Sequence, residues 1–137
     1  MNNTEKALQA FRSGSNCAQA VFVPFAERMG LDAELADRIA SGFGGGMHQG
    51  GACGVVTGAY MALGLKFGTD KKITYSKTNE FTERFLKRNP SINCLDLLGA
   101  DVRTDEGKKK MKSEDLRENV CCKLVKDACG ILEEMVV

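Results

Sequence analysis

The residues best equipped for chemistry are six cysteines: Cys17, Cys53, Cys94, Cys121, Cys122 and Cys129. A thiolate is a nucleophile and a soft metal ligand, so such a set suits an iron–sulfur or other metal centre, or thiol–disulfide exchange. In a reducing compartment structural disulfides are disfavoured, which tilts a cysteine-rich chain towards metal binding or redox work. No C-x-x-C pair occurs, so neither half of a metal site nor a local redox pair is preformed. A free cysteine can also be simply a small buried hydrophobe, and Cys129 is read that way.

The second feature is the run Gly42 to Gly58, GFGGGMHQGGACGVVTG, which carries eight glycines around Cys53 and the only histidine, His48. Glycine opens backbone angles closed to other residues and lets neighbouring atoms come close. Its backbone N–H groups can face cluster sulfurs or anions. Gly44, Gly45, Gly46 and Gly54 are therefore candidate cofactor-binding positions. The run is no P-loop, because no Lys-Ser or Lys-Thr follows the glycines. G-x-G-x-x-G fails as well, with Met47 or Gln49 in the sixth position. There is no C-x-x-C-H for haem, and a lone His48 gives a cysteine hydrolase a poor partner. His48 itself reads as an exposed loop residue before it reads as a ligand or proton donor.

The elements that must position these residues are helical. Ala7, Leu8 and Phe11 recur on one face of a first helix, Asn3 to Arg12. Asn16 caps a second, Cys17 to Arg28, which Pro24 threatens to kink or interrupt and Gly30 closes. Asp32 opens a third, reaching about Ser41. A fourth runs from near Cys53 to Phe67, with Gly54, Gly58 and Ala62 spaced by four to let another helix approach closely. A fifth runs from Asp70 to about Arg88 with Phe81, Phe85 and Leu86 as its apolar face, stopped by Asn89-Pro90. Asn93 caps a short turn, Cys94 to Leu98. The lysine-rich stretch 100–112 reads as an exposed loop. Ser113 caps a last helix to about Met135. The expected fold is a single all-α domain over 1–137, a bundle of about five or six helices with a glycine-rich loop.

These elements sort the cysteines. Cys17 and Cys94 each follow an asparagine at a helix start, and Cys53 begins the fourth helix. A helix N-terminus favours an anion, so these thiols are expected to ionise more readily than usual. On the last helix Cys121 shares a stripe with Val125, Ala128, Leu132 and Met135, whereas Cys122 and Cys129 lie at its edges. Cys121 is thus the fourth inward-facing cysteine.

The segments Gly14-Ser15-Asn16-Cys17-Ala18-Gln19-Ala20, Gly42-Phe43-Gly44-Gly45-Gly46-Met47 and Cys53-Gly54-Val55-Val56-Thr57-Gly58 carry a resemblance. With Cys94, Leu97-Leu98-Gly99 and the Cys121 segment, the chain resembles over nearly its whole length the C_GCAxxG_C_C family, small chains to which redox activity is ascribed. The resemblance implies four shared cysteines, mapping to Cys17, Cys53, Cys94 and Cys121. Val55 stands where that pattern usually has a small residue, His48 where glycine is expected, and Cys122 and Cys129 are additional.

Three functions fit these residues: an iron–sulfur or metal centre on the four cysteines, acting in electron transfer or as an oxidoreductase; a thiol–disulfide protein using pairs of them; or a structural or partner-binding helical module with buried thiols. A redox protein partner and a homodimer are compatible with any of them. Nineteen basic against eighteen acidic residues, net charge +1, give no electrostatic case for nucleic acid or an anionic membrane. The polar start MNNTEKALQAFRSG is no secretory signal, and the longest apolar run is too short to span a bilayer, so the expected location is the cytoplasm.

Overall fold

The computed structural model describes residues 1–136 and is all-α. In chain order the helices are α1 (Asn3–Arg12), α2 (Cys17–Arg28), α3 (Ala33–Ile39), α4 (Gly54–Phe67), α5 (Lys71–Leu86), α6 (Cys94–Leu98), α7 (Asp105–Ser113) and α8 (Cys122–Val136). Two wide turns, Gly46–Gly50 and Arg117–Cys121, precede α4 and α8. Among the described residues the only extended pairing is one antiparallel bridge, Ala52 with Asn93.

Helix α2 is the axis of the bundle and packs against α1, α3, α4 and α8. Seven of its residues, Ala18 and Ala20 to Phe22 and Pro24 to Ala26, are buried. Its closest neighbour is α4, through the small face that the four-residue spacing predicts. A Cβ on Gly58 would sit 2.7 Å from the Ala18 carbonyl oxygen, and one on Gly54 only 2.8 Å from Cys17 Cβ. Phe11, Phe25, Leu63, Phe81, Phe85, Ile131 and Leu132 fill the core beside this contact. Burying side chains of that size is worth about 1.5–3 kcal/mol each, which is what holds so many short helices together.

The helix starts follow local hydrogen bonding. Asn2 with Glu5 and Asn16 with Gln19 form reciprocal capping boxes, while Asp32 and Asp70 accept from backbone N–H groups of their own first turns. At α6 the expectation fails: the Asn93 side chain caps nothing, and Ser91 Oγ accepts from the Asn93 N–H instead. Pro24 does not interrupt α2, which runs on from Cys17 to Arg28. Leu86 is 45% exposed, off the apolar face assigned to it, because it lies about 100° around α5 from the buried Phe85.

The largest departure is α7, within the stretch expected to be loop. Thr104 accepts from the Gly107 N–H at 2.9 Å, Asp105 and Glu106 occupy the first turn, and Lys110 and Lys112 the last. That is a capped, dipole-matched helix whose apolar content is too low to announce itself by periodicity. Ser113 accordingly ends α7 and does not cap the last helix, and Asp115 at φ +47° breaks the chain between them. The bundle therefore has eight α-helices among the described residues, more than the five or six expected.

The α2–α4 contact separates two glycines of one helix. Gly58→Ala should destabilise the fold by about 1–3 kcal/mol, because the added methyl meets backbone that cannot yield. Gly64→Ala, with nothing within 4 Å of its Cβ position, should stabilise it by about 0.5–1 kcal/mol. Urea denaturation of both variants checks the pair.

Candidate redox site

Cys17, Cys53, Cys94 and Cys121 all line one cavity of about 520 Å³. Each arrives from a different element. Cys17 opens α2, placed by the Asn16 capping box. Asn16 also donates its Nδ2 to the carbonyls of Ala40 and Ser41, at 3.3 and 3.1 Å, which fastens the start of α2 to the entry of the glycine run. Its Cβ lies where any side chain at Gly44 would have to go.

Cys53 and Cys94 are placed together. The Cys53 N–H donates to the Ile92 carbonyl and the Cys94 N–H to the Gly51 carbonyl, both at 2.7 Å, on either side of the Ala52–Asn93 bridge. Cys53 is the residue before the first turn of α4, and Cys94 the first residue of α6. Gly46 packs behind this bridge: a Cβ there would lie 2.6 Å from the Gly51 backbone and 2.9 Å from Cys94 Cβ. Gly46 is thus a packing residue away from the lining, whereas Gly44, Gly45 and Gly54 line the cavity.

Cys121 ends the wide turn Arg117–Cys121, where the Cys122 N–H reaches back to the Arg117 carbonyl. The predicted stripe holds: Cys121, Val125, Ala128, Leu132 and Met135 are all buried. Cys129 is fully buried in the core. Cys122 is buried too but faces away from the cavity, with its thiol donating to Glu118 Oε2 at 3.5 Å.

The glycine run takes an unusual path. Gly45, Gly46, Met47 and His48 are four successive residues in the left-handed region, with φ between +57° and +63°. For Met47 and His48 this costs about 1–2 kcal/mol each. The turn closes with the Gly51 N–H on the Gly46 carbonyl at 3.0 Å. The position where glycine was expected, His48, is one whose backbone favours glycine. His48 is exposed and reaches the rim of the cavity.

Electrostatics reverse one expectation. The helix starts were expected to ease ionisation of Cys17, Cys53 and Cys94. Burial instead pushes the Cys53 thiol up to about 12, against the opposing pull of the Val55 and Val56 N–H groups. Cys94 rises to about 11, again through burial. Cys17 rises through the neighbouring Cys121 thiol and then through desolvation. Cys121 alone is lowered, first by the neighbouring Cys17 thiol and then by Arg117. At Cys53 and Cys94 desolvation of a charge outweighs the half-charge of a helix end.

Arg117 is the site residue that the sequence reading passed over. It lies one turn before Cys121, and the i, i+4 spacing was the available signal. Its guanidinium sits 3.9 Å over the Phe11 ring, and its Nη2 donates to the carbonyls of Phe11 and Ser15. Val102 and Met111, from the stretch expected to be an exposed loop, also line the cavity. No three His, Cys, Asp or Glu side chains among the described residues are gathered tightly enough to clasp a metal ion, and all six cysteines are free thiols.

Residues 15–135 match the family model described as "Putative redox-active protein (C_GCAxxG_C_C)". The chain belongs to the C_GCAxxG_C_C family. No curated protein and no solved structure matches it. In this C_GCAxxG_C_C chain the four cysteines singled out by sequence meet at one cavity, and Cys122 and Cys129 stay outside its lining.

Two measurements follow from the site. The neighbouring thiols Cys17 and Cys121, next to Arg117, should be alkylated by iodoacetamide near neutral pH before Cys53 and Cys94, which burial raises to about 12 and about 11. Arg117→Gln should slow that alkylation several-fold, as read by peptide mass spectrometry over a pH series, with the labelling curve displaced to higher pH. His48→Gly should raise unfolding stability by about 1 kcal/mol by relieving the left-handed backbone, read by urea titration.

Proposed function

We propose that Cys17, Cys53, Cys94 and Cys121 hold an iron–sulfur cluster and that the protein transfers electrons to or from a redox protein partner. The observation that carries this reading is the meeting of four thiols, from four elements, at one cavity. The donor set fits: it is all sulfur, and no Asp or Glu lines the cavity. A single tetrahedral ion fits less well. With metal–sulfur bonds of about 2.3 Å, four ligands must lie within about 4 Å of one another, and no such ligand group is present among the described residues. A multi-iron cluster spreads its ligands more widely and uses a larger volume.

Such a cluster, when bound, supplies one-electron chemistry. The residues of this chain supply the rest. Arg117 places a cation near Cys121. The N–H groups of Val55 and Val56 stand at Cys53. Gly44, Gly45 and Gly54 keep side chains out of the cavity wall. Phe11, Leu98 and Leu124 give the cavity apolar walls. Six free thiols suit a reducing compartment such as the cytoplasm. Among the described residues no helix is long and apolar enough to cross a membrane.

A second reading is supported by the contact between Cys17 and Cys121. These two thiols would form one disulfide, giving up two protons and two electrons to an oxidised partner. Cys121, as the more acidic thiol, would be the attacking sulfur.

Anaerobic incubation with ferrous iron and sulfide should give a broad visible absorption and matched bound iron and sulfide. Serine at Cys17, Cys53, Cys94 or Cys121 should each cut the iron content sharply, whereas Cys122→Ser and Cys129→Ser should leave it near wild type. Loss of iron in Cys129→Ser but not in Cys94→Ser would overturn the assignment. No iron uptake, with a clean Cys17–Cys121 disulfide under mild oxidant, would favour the second reading.

A further inference from the structure

The cavity offers more than thiols. Its volume of about 520 Å³ lies in the range of small-ligand pockets. Leu97, Leu98, Val102 and Met111 form an apolar wall contributed by α6, α7 and the chain between them. Against that wall stands one fixed cation. Arg12, Arg28, Arg84, Arg88 and Arg103 each pair with a carboxylate, whereas Arg38, outside the cavity lining, does not pair among the described residues. Arg117 forms no ion pair with an acid among the described residues.

Its orientation is nevertheless held. The Phe11 ring lies under the guanidinium, and two backbone carbonyls accept from Nη2. Nε and Nη1 carry further N–H groups, which make no hydrogen bond to the described residues and are open to solvent, because Arg117 is exposed. Asp115 and Glu118 line a neighbouring pocket with Arg117 but neither pairs with it, and no acid lines the cysteine cavity. An arginine held in this way at the cavity wall matches an incoming carboxylate in charge and geometry.

We propose that this cavity admits a small organic carboxylic acid with an apolar body, its carboxylate on Arg117 and its body against the Leu97, Leu98 and Met111 wall. An inorganic anion would leave that wall unused, and a neutral apolar ligand would leave the arginine unanswered. The inference rests on the reading of this cavity as the redox centre, because only then is such a ligand placed as a substrate beside the reacting groups.

Isothermal titration under anaerobic conditions tests it, with 3-phenylpropionate and its neutral amide as the probes. Both the reduced apoprotein and the iron-reconstituted protein are titrated. The acid should bind at least tenfold more tightly than the amide in at least one of the two forms. Arg117→Gln should abolish that preference and Arg117→Lys should retain part of it. Arg117 also ties two carbonyls, so Leu97→Trp provides a second variant that fills the cavity; it should remove binding of both probes while circular dichroism stays helical. Equal affinity for acid and amide, no binding in either form, or a preference that survives Arg117→Gln would each overturn the proposal. Iron content and visible absorption are read on the same samples. Iron uptake without probe binding removes the carboxylate proposal alone; probe binding without iron uptake removes the cluster and leaves the carboxylate site standing.

Discussion

The site depends on one small piece of extended backbone. Two hydrogen bonds of 2.7 Å, on either side of the Ala52–Asn93 bridge, join the end of the glycine run to the start of α6. They fix the Cys53 and Cys94 backbones relative to one another before any side chain is considered. Each bond is worth about 1 kcal/mol net, so the bridge alone is weak. It persists because Gly46 packs against its inner side with no room for a side chain, and because α4 is locked to α2 through Gly54 and Gly58. Cys17 reaches the same cavity through that second contact.

Glycine therefore works here in two different ways. At Gly54 and Gly58 the requirement is space: the α2 backbone lies where a Cβ would be. At Gly45 and Gly46 it is both space and a left-handed backbone. Met47 and His48 continue that left-handed path with ordinary side chains and carry its strain. Such strain persists only where the surroundings fix the conformation. Here the Gly51–Gly46 hydrogen bond and the bridge beyond it do so.

The thiols show the competition between burial and local dipoles. A helix start offers a fraction of a charge at the surface, but a sulfur shielded from water meets a larger opposing cost. Cys53 lies close to the N–H groups of Val55 and Val56, which pull its thiol down, and burial still raises it to about 12. Cys121 is the exception because a donor thiol and a cation both act on it. Burial thus holds Cys53 and Cys94 protonated at neutral pH, whereas Cys121 ionises more readily than an ordinary thiol.

Much of this was legible in the sequence. Asparagine and aspartate caps, the 3.6-residue recurrence of apolar side chains, and the Gly54-Gly58-Ala62 spacing are local signals, and they fixed the class of fold, most helix bounds and the close-packing face of α4, but not that α2 is what packs there. The facing of Cys121 followed from the same periodicity. Three further things did not follow. Helix α7 is held by a Thr104 cap and dipole-matched charges with little apolar content, so periodicity passed over it. The pairing of Ala52 with Asn93 is a long-range backbone contact with no side-chain signature. The ionisation of the thiols depends on burial, and burial belongs to the packed chain: helix position pointed one way, and the water excluded by α2, α4, α6 and α8 decided the other.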